Sequence, residues 1–211
     1  MTATAPQPAG LSTDGRKRRR AASRARIVTA LLELVRSGVV SPSAHAVAER
    51  AEVSPRTVFR CFQDMESLNR EIIHALHREF LPRAQLDLST PDRRERLRGV
   101  VGNRASMFED MTPFRLAAEA RRHGSPALQG DHAFLVAMER ERLVAAVNPD
   151  NALDPQTFEA LSATTCFDFW RRLRADQGLT PEAAAGVMLA AALAIFDAGP
   201  DAGPVPIDAG G

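Results

Sequence analysis

Seven residues of the Ser, Thr or Asp type stand immediately before a proline, and five of these pairs mark expected helix starts. The oxygen of the first side chain accepts a hydrogen bond from a free N–H at a helix start, and the fixed φ of proline suits the first helical position. The five pairs are Ser54-Pro55, Thr112-Pro113, Ser125-Pro126, Asp154-Pro155 and Thr180-Pro181. No segment of strand-forming residues is long enough to compete, so the sequence predicts an all-α fold of about nine helices.

The expected helix bounds follow from these starts and from glycine or proline at the ends. We expect helices at residues 16–36, 44–51, 55–61, 64–80, 92–110, 113–123, 126–148, 155–176 and 181–198. The Pro- and Gly-containing ends, residues 1–15 and 199–211, are expected to form disordered tails. Between them we expect one domain at 16–80, which includes the fourth helix as a link, and a second at 81–198.

The composition is that of a soluble globular protein, with 45% hydrophobic and 25% charged residues among 211. The N-terminus lacks the apolar core of a secretion signal, and the longest uncharged stretch, residues 183–196, is shorter than the roughly 20 residues that span a bilayer. These features predict a cytoplasmic protein. Cys61 and Cys166 are far apart and form no CxxC pair, which argues against a zinc or redox site.

Charge is distributed unevenly along the chain. Residues 1–80 contain 13 Lys or Arg against 8 Asp or Glu, whereas residues 81–211 contain 14 against 18. A basic N-terminal part joined to a mildly acidic remainder suits a domain that binds DNA and a body that does not.

Residues 43–62 have the pattern of two short helices joined by a tight turn. Val47 and Ala48 belong to a small apolar stripe on the first helix, and Ser54-Pro55 begins the second. Val58, Phe59 and Phe62 are expected to enter the core, which leaves the polar side chains of the second helix facing outward. This arrangement predicts a helix-turn-helix, whose second helix enters the major groove of DNA.

The N-terminal third resembles the TetR family of bacterial transcriptional regulators. The matching strings are RIVTALLELVRSG at 26–38 and AVAERAEVSPRTVFRCFQDMESL at 46–68. They correspond to a helix ending in Gly, a Val-Ser turn, a recognition helix of Thr-Leu-Tyr-x-x-Phe type and the start of a fourth helix. The resemblance implies a C-terminal helical domain that binds a small molecule and forms a dimer through its last two helices.

Three residues depart from the family pattern. Glu52 stands where the family usually has Gly, so the turn lacks the residue that most easily adopts positive φ. Phe59 replaces a Tyr and Met65 replaces a Lys, and each change removes a hydrogen-bond donor to a DNA phosphate.

The candidate DNA-binding residues lie in three groups. Arg56, Thr57 and Arg60 belong to the proposed recognition helix, where arginine can bind guanine through two hydrogen bonds. Ser43, His45 and Ser54 lie at the helix starts, where the resemblance implies phosphate contacts. A basic run upstream could contact phosphates or the minor groove; it contains Arg16, Lys17, Arg18, Arg19, Arg20 and Arg24. The alternative for each group is a solvated surface residue.

Met and aromatic side chains in the body are candidates for binding a largely apolar ligand. They are Met107, Phe108, Met111, Phe114, Phe134, Met138, Phe167 and Trp170. The alternative, favoured for most of them individually, is ordinary hydrophobic core. The helix at 181–198 is apolar on more than one side, which predicts burial against a second copy of the chain.

We expect no cofactor, no metal site and no enzymatic activity. His74 and His77 lie one turn apart and His132 could join them, but no Cys or carboxylate pattern supports a metal site. Asp131-His132 has no nucleophile partner, and no phosphate-binding glycine loop occurs. The helix-turn-helix pattern and the resemblance to the TetR family together imply a dimeric repressor that a small effector releases from a palindromic operator. The alternatives are a regulator without a ligand and, ranked last, an enzyme with an all-helical active site.

Overall fold

The computed structural model describes residues 11–62 and 64–198, and within these ranges the chain folds into nine α-helices and no strand. The predicted all-α class and helix number are confirmed. The expected tails fall mainly on residues 1–10 and 199–211, which lie outside the described ranges. The helices are α1 (Leu11–Arg36), α2 (Ala44–Arg50), α3 (Pro55–Cys61), α4 (Met65–Phe80), α5 (Arg93–Glu119), α6 (Pro126–Val147), α7 (Pro155–Thr164), α8 (Phe167–Arg171) and α9 (Pro181–Ala198).

The helices form two compact units, and neither unit is one continuous segment of the chain. The first contains the N-terminal residues up to Leu76 together with Pro113–Leu128, and the second contains His77–Thr112 and the residues from Gln129 onward. Helices α4, α5 and α6 therefore each contribute residues to both units. The expected division into domains at residue 80 remains a prediction.

In the first unit, α1, α2 and α3 pack against one another. Helix α1 buries an apolar stripe that includes Ile27, Leu31 and Val35. It begins at Leu11, five residues before the predicted start at Arg16, and it ends where Gly38 adopts a φ of 97°. That left-handed residue allows the N–H of Val39 to reach the carbonyl of Leu34 at 3.0 Å, which closes the last turn.

The turn between α2 and α3 has the same construction without a glycine. Glu52 takes the left-handed conformation, with a φ of 52°. The N–H of Val53 then donates to the carbonyl of Ala48 at 3.0 Å, and the N–H of Glu52 donates to the carbonyl of Glu49 at 3.1 Å. The turn therefore keeps its hydrogen bonds while Glu52 carries the steric strain that a Cβ produces at positive φ.

Helix α5 passes through Pro113, so the predicted division at Thr112-Pro113 is wrong. Proline removes one helical hydrogen bond and disfavours a helix interior. The apolar positions nevertheless continue at helical spacing across it, since Phe108, Met111 and Phe114 are all buried. Burial of this continuous stripe outweighs the lost hydrogen bond.

The predicted helix at 155–176 is wrong as a single helix, because it is interrupted at Thr165 and Cys166. Arg104, itself buried, donates to the carbonyl of Thr165 at 2.9 Å and to its hydroxyl at 2.5 Å. This carbonyl is thus engaged outside the helix, and α7 ends beside it. Helix α8 follows and continues into a π-helical turn, Arg172–Asp176. Burial lowers the pKa of Arg104 by removing its guanidinium from water.

The core of the second unit is built around Trp170, Phe108 and Leu143. Helix α9 supplies Ala184 and Met188 to this core and contacts α7 and α8. In the described part of the chain, α9 alone is apolar and long enough to cross a membrane on length and composition, with 17% of its residues buried.

We predict that Glu52→Gly will raise the free energy of unfolding by about 0.5–1 kcal/mol. A left-handed conformation costs an L-residue about 1–2 kcal/mol, and the greater backbone entropy of glycine offsets part of the gain. Urea unfolding monitored by circular dichroism measures the change. Glu52→Ala is the matched control, since it removes the same carboxylate but keeps the Cβ. An equal gain in stability in both variants would show that loss of the carboxylate charge causes it, and would contradict backbone strain at Glu52.

Candidate functional site

Helix α3 is a seven-residue helix with one buried face. Ser54 caps it by accepting a hydrogen bond from the N–H of Thr57 at 3.2 Å, and Pro55 occupies the first helical position. Val58 and Cys61 are buried, and Phe62 is buried immediately after the helix. The remaining side chains of α3 are therefore left for the opposite face.

The two arginines of α3 lie on that outward face. Arg56 and Arg60 are both exposed, and their spacing of four residues places them on the same side of the helix. Neither has a hydrogen-bond or ion-pair partner among the residues that the structure describes. Two guanidinium groups are thus available to an anionic or hydrogen-bond-accepting partner. Thr57 is half-buried, and its hydroxyl lies 3.0 Å from that of Ser54.

Phe59 lies on the surface, so its prediction as a core residue is wrong. Its side chain is 68% exposed, whereas Val58 beside it is buried. A helix of two turns offers one inward face, and Val58, Cys61 and Phe62 already fill it. Phe59 follows Arg56 by three residues, so its ring lies on the same side of α3 as Arg56. Met65, at the first position of α4, is also exposed.

The start of α2 carries two further candidates. The hydroxyl of Ser43 accepts a hydrogen bond from the N–H of Ala46 at 3.1 Å and so caps the helix. Ser43 and His45 are both exposed. Because α2 and α3 contact each other, the structure brings these residues into the same unit as the α3 arginines.

The basic run upstream is helical and exposed. All five residues from Arg16 to Arg20 lie in α1 with exposed side chains. The Nε of Arg19 donates to the carbonyl of Gly15 at 3.2 Å, one helical turn earlier. The run is therefore an extension of a helix whose later turns enter the core of the first unit.

Arg24 is engaged within the protein, and its contact with DNA stays a prediction. Its guanidinium donates to the carbonyl of Cys61 at 2.8 Å and to Glu71 at 2.7 Å, and it lies 4.7 Å from the ring centroid of Phe62. These contacts tie α1 to the end of α3 and to α4. The sequence pattern placed Arg24 in the basic run because a linear pattern does not show a partner 47 residues away.

Glu66 was missed by the sequence analysis. Its carboxylate accepts hydrogen bonds from the Ser125 hydroxyl at 2.5 Å and from the N–H of Ala127 at 2.6 Å. The bond from Ser125, then that from Ala127, lowers the pKa of Glu66 against the opposing effect of desolvation. Within the first unit, Glu66 therefore ties the first turn of α4, which follows α3, to the first turn of α6. The Ser125-Pro126 pair predicted the start of α6, but no local signal in the sequence indicated that Glu66 also accepts hydrogen bonds at this helix start.

Most of the candidate ligand-binding residues belong to the core. Phe114 lies in the first unit and the other seven lie in the second. The candidates that are buried are Met107, Phe108, Met111, Phe114, Phe167 and Trp170. Phe108 and Phe167 form an edge-to-face pair with centroids 5.5 Å apart. The burial of all six residues fits the alternative of ordinary core packing, and ligand binding by them stays a prediction.

Two cavities in the second unit include the remaining candidates. The smaller one, of about 20 Å³, is lined in part by Met107, Phe108 and Met138, and it has room for about one water molecule. A more open depression of about 320 Å³ is lined by Leu81, Phe134, Ala137, Met138, Glu141 and Arg142. The latter volume lies at the lower end of the range for small-molecule pockets.

The histidines do not gather into a metal site. The Nε2 of His77 lies 2.6 Å from Oδ1 of Asp131, and its ring lies 4.9 Å from that of Phe134. Within the described ranges, no three His, Cys, Asp or Glu side chains are close enough together to hold a metal ion. His77 is therefore engaged with a carboxylate inside the second unit.

Comparison with known proteins adds no relative. No model of a known protein family matches the chain, and no curated protein matches it in sequence.

We predict that Arg24→Ala will lower the free energy of unfolding by about 1–2 kcal/mol, because a charged hydrogen bond and a cation–π contact are lost together. Chemical unfolding measures the loss. Arg20→Ala is the matched control: it removes the same charge from an exposed position of the same helix and is expected to change stability by less than about 0.5 kcal/mol. Equal effects from the two variants would contradict the role of Arg24 as a tie between helices.

Proposed function

We propose that the protein is a dimeric, DNA-binding transcriptional regulator of the TetR type, with α2 and α3 as its helix-turn-helix. The observation that carries this proposal is the outward face of α3. Arg56 and Arg60 project from a short helix whose other face is buried, and neither has a partner among the described residues. The major groove of DNA accepts a helix of this kind, and arginine binds the O6 and N7 atoms of guanine there.

The basic extension of α1 supplies the sequence-independent part of binding. Its exposed side chains from Arg16 to Arg20 can neutralise phosphates and release counterions, which makes affinity depend strongly on salt. Ser43 and His45, exposed at the start of α2, lie in the same unit and add polar contacts. Phosphate contacts position the protein, and the α3 arginines provide sequence preference.

A second copy of the chain is proposed to cover α9. The face of α9 that points away from the core carries Ala183, Gly186, Val187, Ala190 and Ala194, all exposed. Small side chains let two helices approach closely, and an apolar helix with little burial gains free energy when a partner covers it. A two-fold dimer would present two α3 helices to half-sites about 34–36 Å apart on a palindromic operator. Such a regulator acts in the cytoplasm.

A small, largely apolar effector is proposed to bind the second unit and release the operator, which makes the protein a repressor. Phe134 and Met138 line the depression of about 320 Å³, so this is the proposed effector site. Binding would shift the population towards dimers with a different α3 spacing. A coupling of about 1–3 kcal/mol changes operator affinity by about 5–150-fold, and the operator weakens effector binding by the same factor.

The test of DNA recognition is selection of bound sequences from a random duplex pool. We expect palindromic sequences to be enriched, and we expect Arg56→Ala or Arg60→Ala to weaken binding to the selected duplex by about 1–3 kcal/mol with relaxed preference at one position per half-site. Arg172→Ala is the charge-matched control, since Arg172 is exposed in the second unit.

Two results would count against the proposal. A pool that shows no enrichment removes DNA recognition altogether. A loss of equal size in Arg56→Ala, Arg60→Ala and Arg172→Ala would mean that net charge, rather than the face of α3, determines binding.

The effector site is tested separately by thermal unfolding in the presence of a library of small apolar compounds. A compound present at 100 times its dissociation constant stabilises the native state by about 2.7 kcal/mol. We expect Phe134→Ala to abolish the shift and the control Val136→Ala, an exposed position of the same helix, to retain it. Shifts that persist in Phe134→Ala would place the effector elsewhere.

A further inference from the structure

Phe59 is an aromatic side chain that the fold does not use. Two thirds of it is exposed, since 68% of its surface remains in water. Leaving a large apolar side chain in water forgoes the free energy of burial. The helix it belongs to is held by Val58 and Cys61 on its opposite face, so the stability of the unit does not explain the position of this ring.

The neighbours of Phe59 restrict what could cover it. Arg56 precedes it by three residues, so the ring lies on the same side of α3 as the exposed Arg56 guanidinium, and Arg60 lies one turn beyond Arg56. A partner for this surface must offer hydrogen-bond acceptors or negative charge to the arginines and, beside them, an apolar group to the ring. A phosphate backbone offers negative charge to the arginines. It offers nothing to the phenyl ring of Phe59, because that ring has no group that donates a hydrogen bond to a phosphate.

The major-groove edge of DNA offers both hydrogen-bond acceptors and an apolar group. Guanine presents the O6 and N7 acceptors there, and thymine presents a C5 methyl group in the same groove. A guanine beside a thymine therefore places acceptors next to an apolar group within a few ångströms. Arg56 and Phe59, one turn apart on α3, match this chemistry.

We propose that Phe59 is a specificity-determining residue whose ring contacts the C5 methyl group of a thymine adjacent to a guanine bound by Arg56 or Arg60. The inference rests on the proposed function and goes beyond it by naming a base preference.

The experiment uses the full chain and a duplex selected from the random pool, with each thymine replaced in turn by deoxyuridine. This replacement removes the methyl group and leaves base pairing and hydrogen bonding unchanged. At one thymine per half-site we expect wild-type binding, measured by fluorescence anisotropy, to weaken about three- to fivefold, as burial of one methyl group predicts. Phe59→Ala should bind the thymine and deoxyuridine duplexes equally.

Two controls separate this contact from the alternatives. Phe59→Tyr adds a donor at the end of the ring, and a ring that faced a phosphate would strengthen binding uniformly across sequences. We expect no such uniform gain. The thermal midpoint of Phe59→Ala should match that of the wild type, because the side chain is exposed.

The outcomes distinguish this inference from the proposed function. If sequences are selected but contain no thymine next to guanine, or if deoxyuridine has no effect at any position, the Phe59 contact is overturned and DNA recognition stands. If wild type and Phe59→Ala lose the same affinity on methyl removal, another residue contacts the methyl and the inference also fails. If no duplex is selected, both proposals fail.

Discussion

The packing of α3 against α1 is the interaction on which the proposed site depends. A helix of seven residues is too short to be stable alone, so α3 exists because Val58 and Cys61 are buried in the first unit. Arg24 strengthens the junction by binding the carbonyl of Cys61 and the carboxylate of Glu71. The same packing decides the outward face, since the side chains that do not enter the core must face solvent. The stability of this segment and the outward position of its arginines therefore have one origin.

The turn before α3 extends this dependence to the backbone. Glu52 holds a left-handed conformation so that the chain can close α2 and begin α3 within four residues. Glu66 then joins the start of α4 to the first turn of α6, still inside the first unit. Because α6 also contributes residues to the second unit, this capping bond lies on a helix that both units share.

Local signals in the sequence predicted most of the fold, and long-range contacts account for what they missed. Ser54-Pro55 and Asp154-Pro155 begin helices as expected, because a cap acts within a few residues. Pro113 does not end a helix, because burial of the apolar residues on both sides of it outweighs the preference of proline for a helix start. The break at Thr165 depends on a hydrogen bond from Arg104, which is 61 residues away. In the site, Arg56 and Arg60 were expected to face outward and do, whereas Phe59 and Arg24 required the structure. Which residues of a two-turn helix face inward depends on what α1 and α4 already occupy.

The central claim is that the arginine face of α3 lies in the major groove of DNA. Dimethyl sulfate protection of a selected duplex tests it most directly, because the reagent methylates guanine N7 in the major groove, and the same method detects adenine N3 in the minor groove. We predict that wild-type protein protects guanines in two half-sites one helical turn apart, and that Arg56→Ala or Arg60→Ala loses protection at a specific guanine in each. Protection confined to adenine N3, or guanine protection that is unchanged in both variants, would contradict the account.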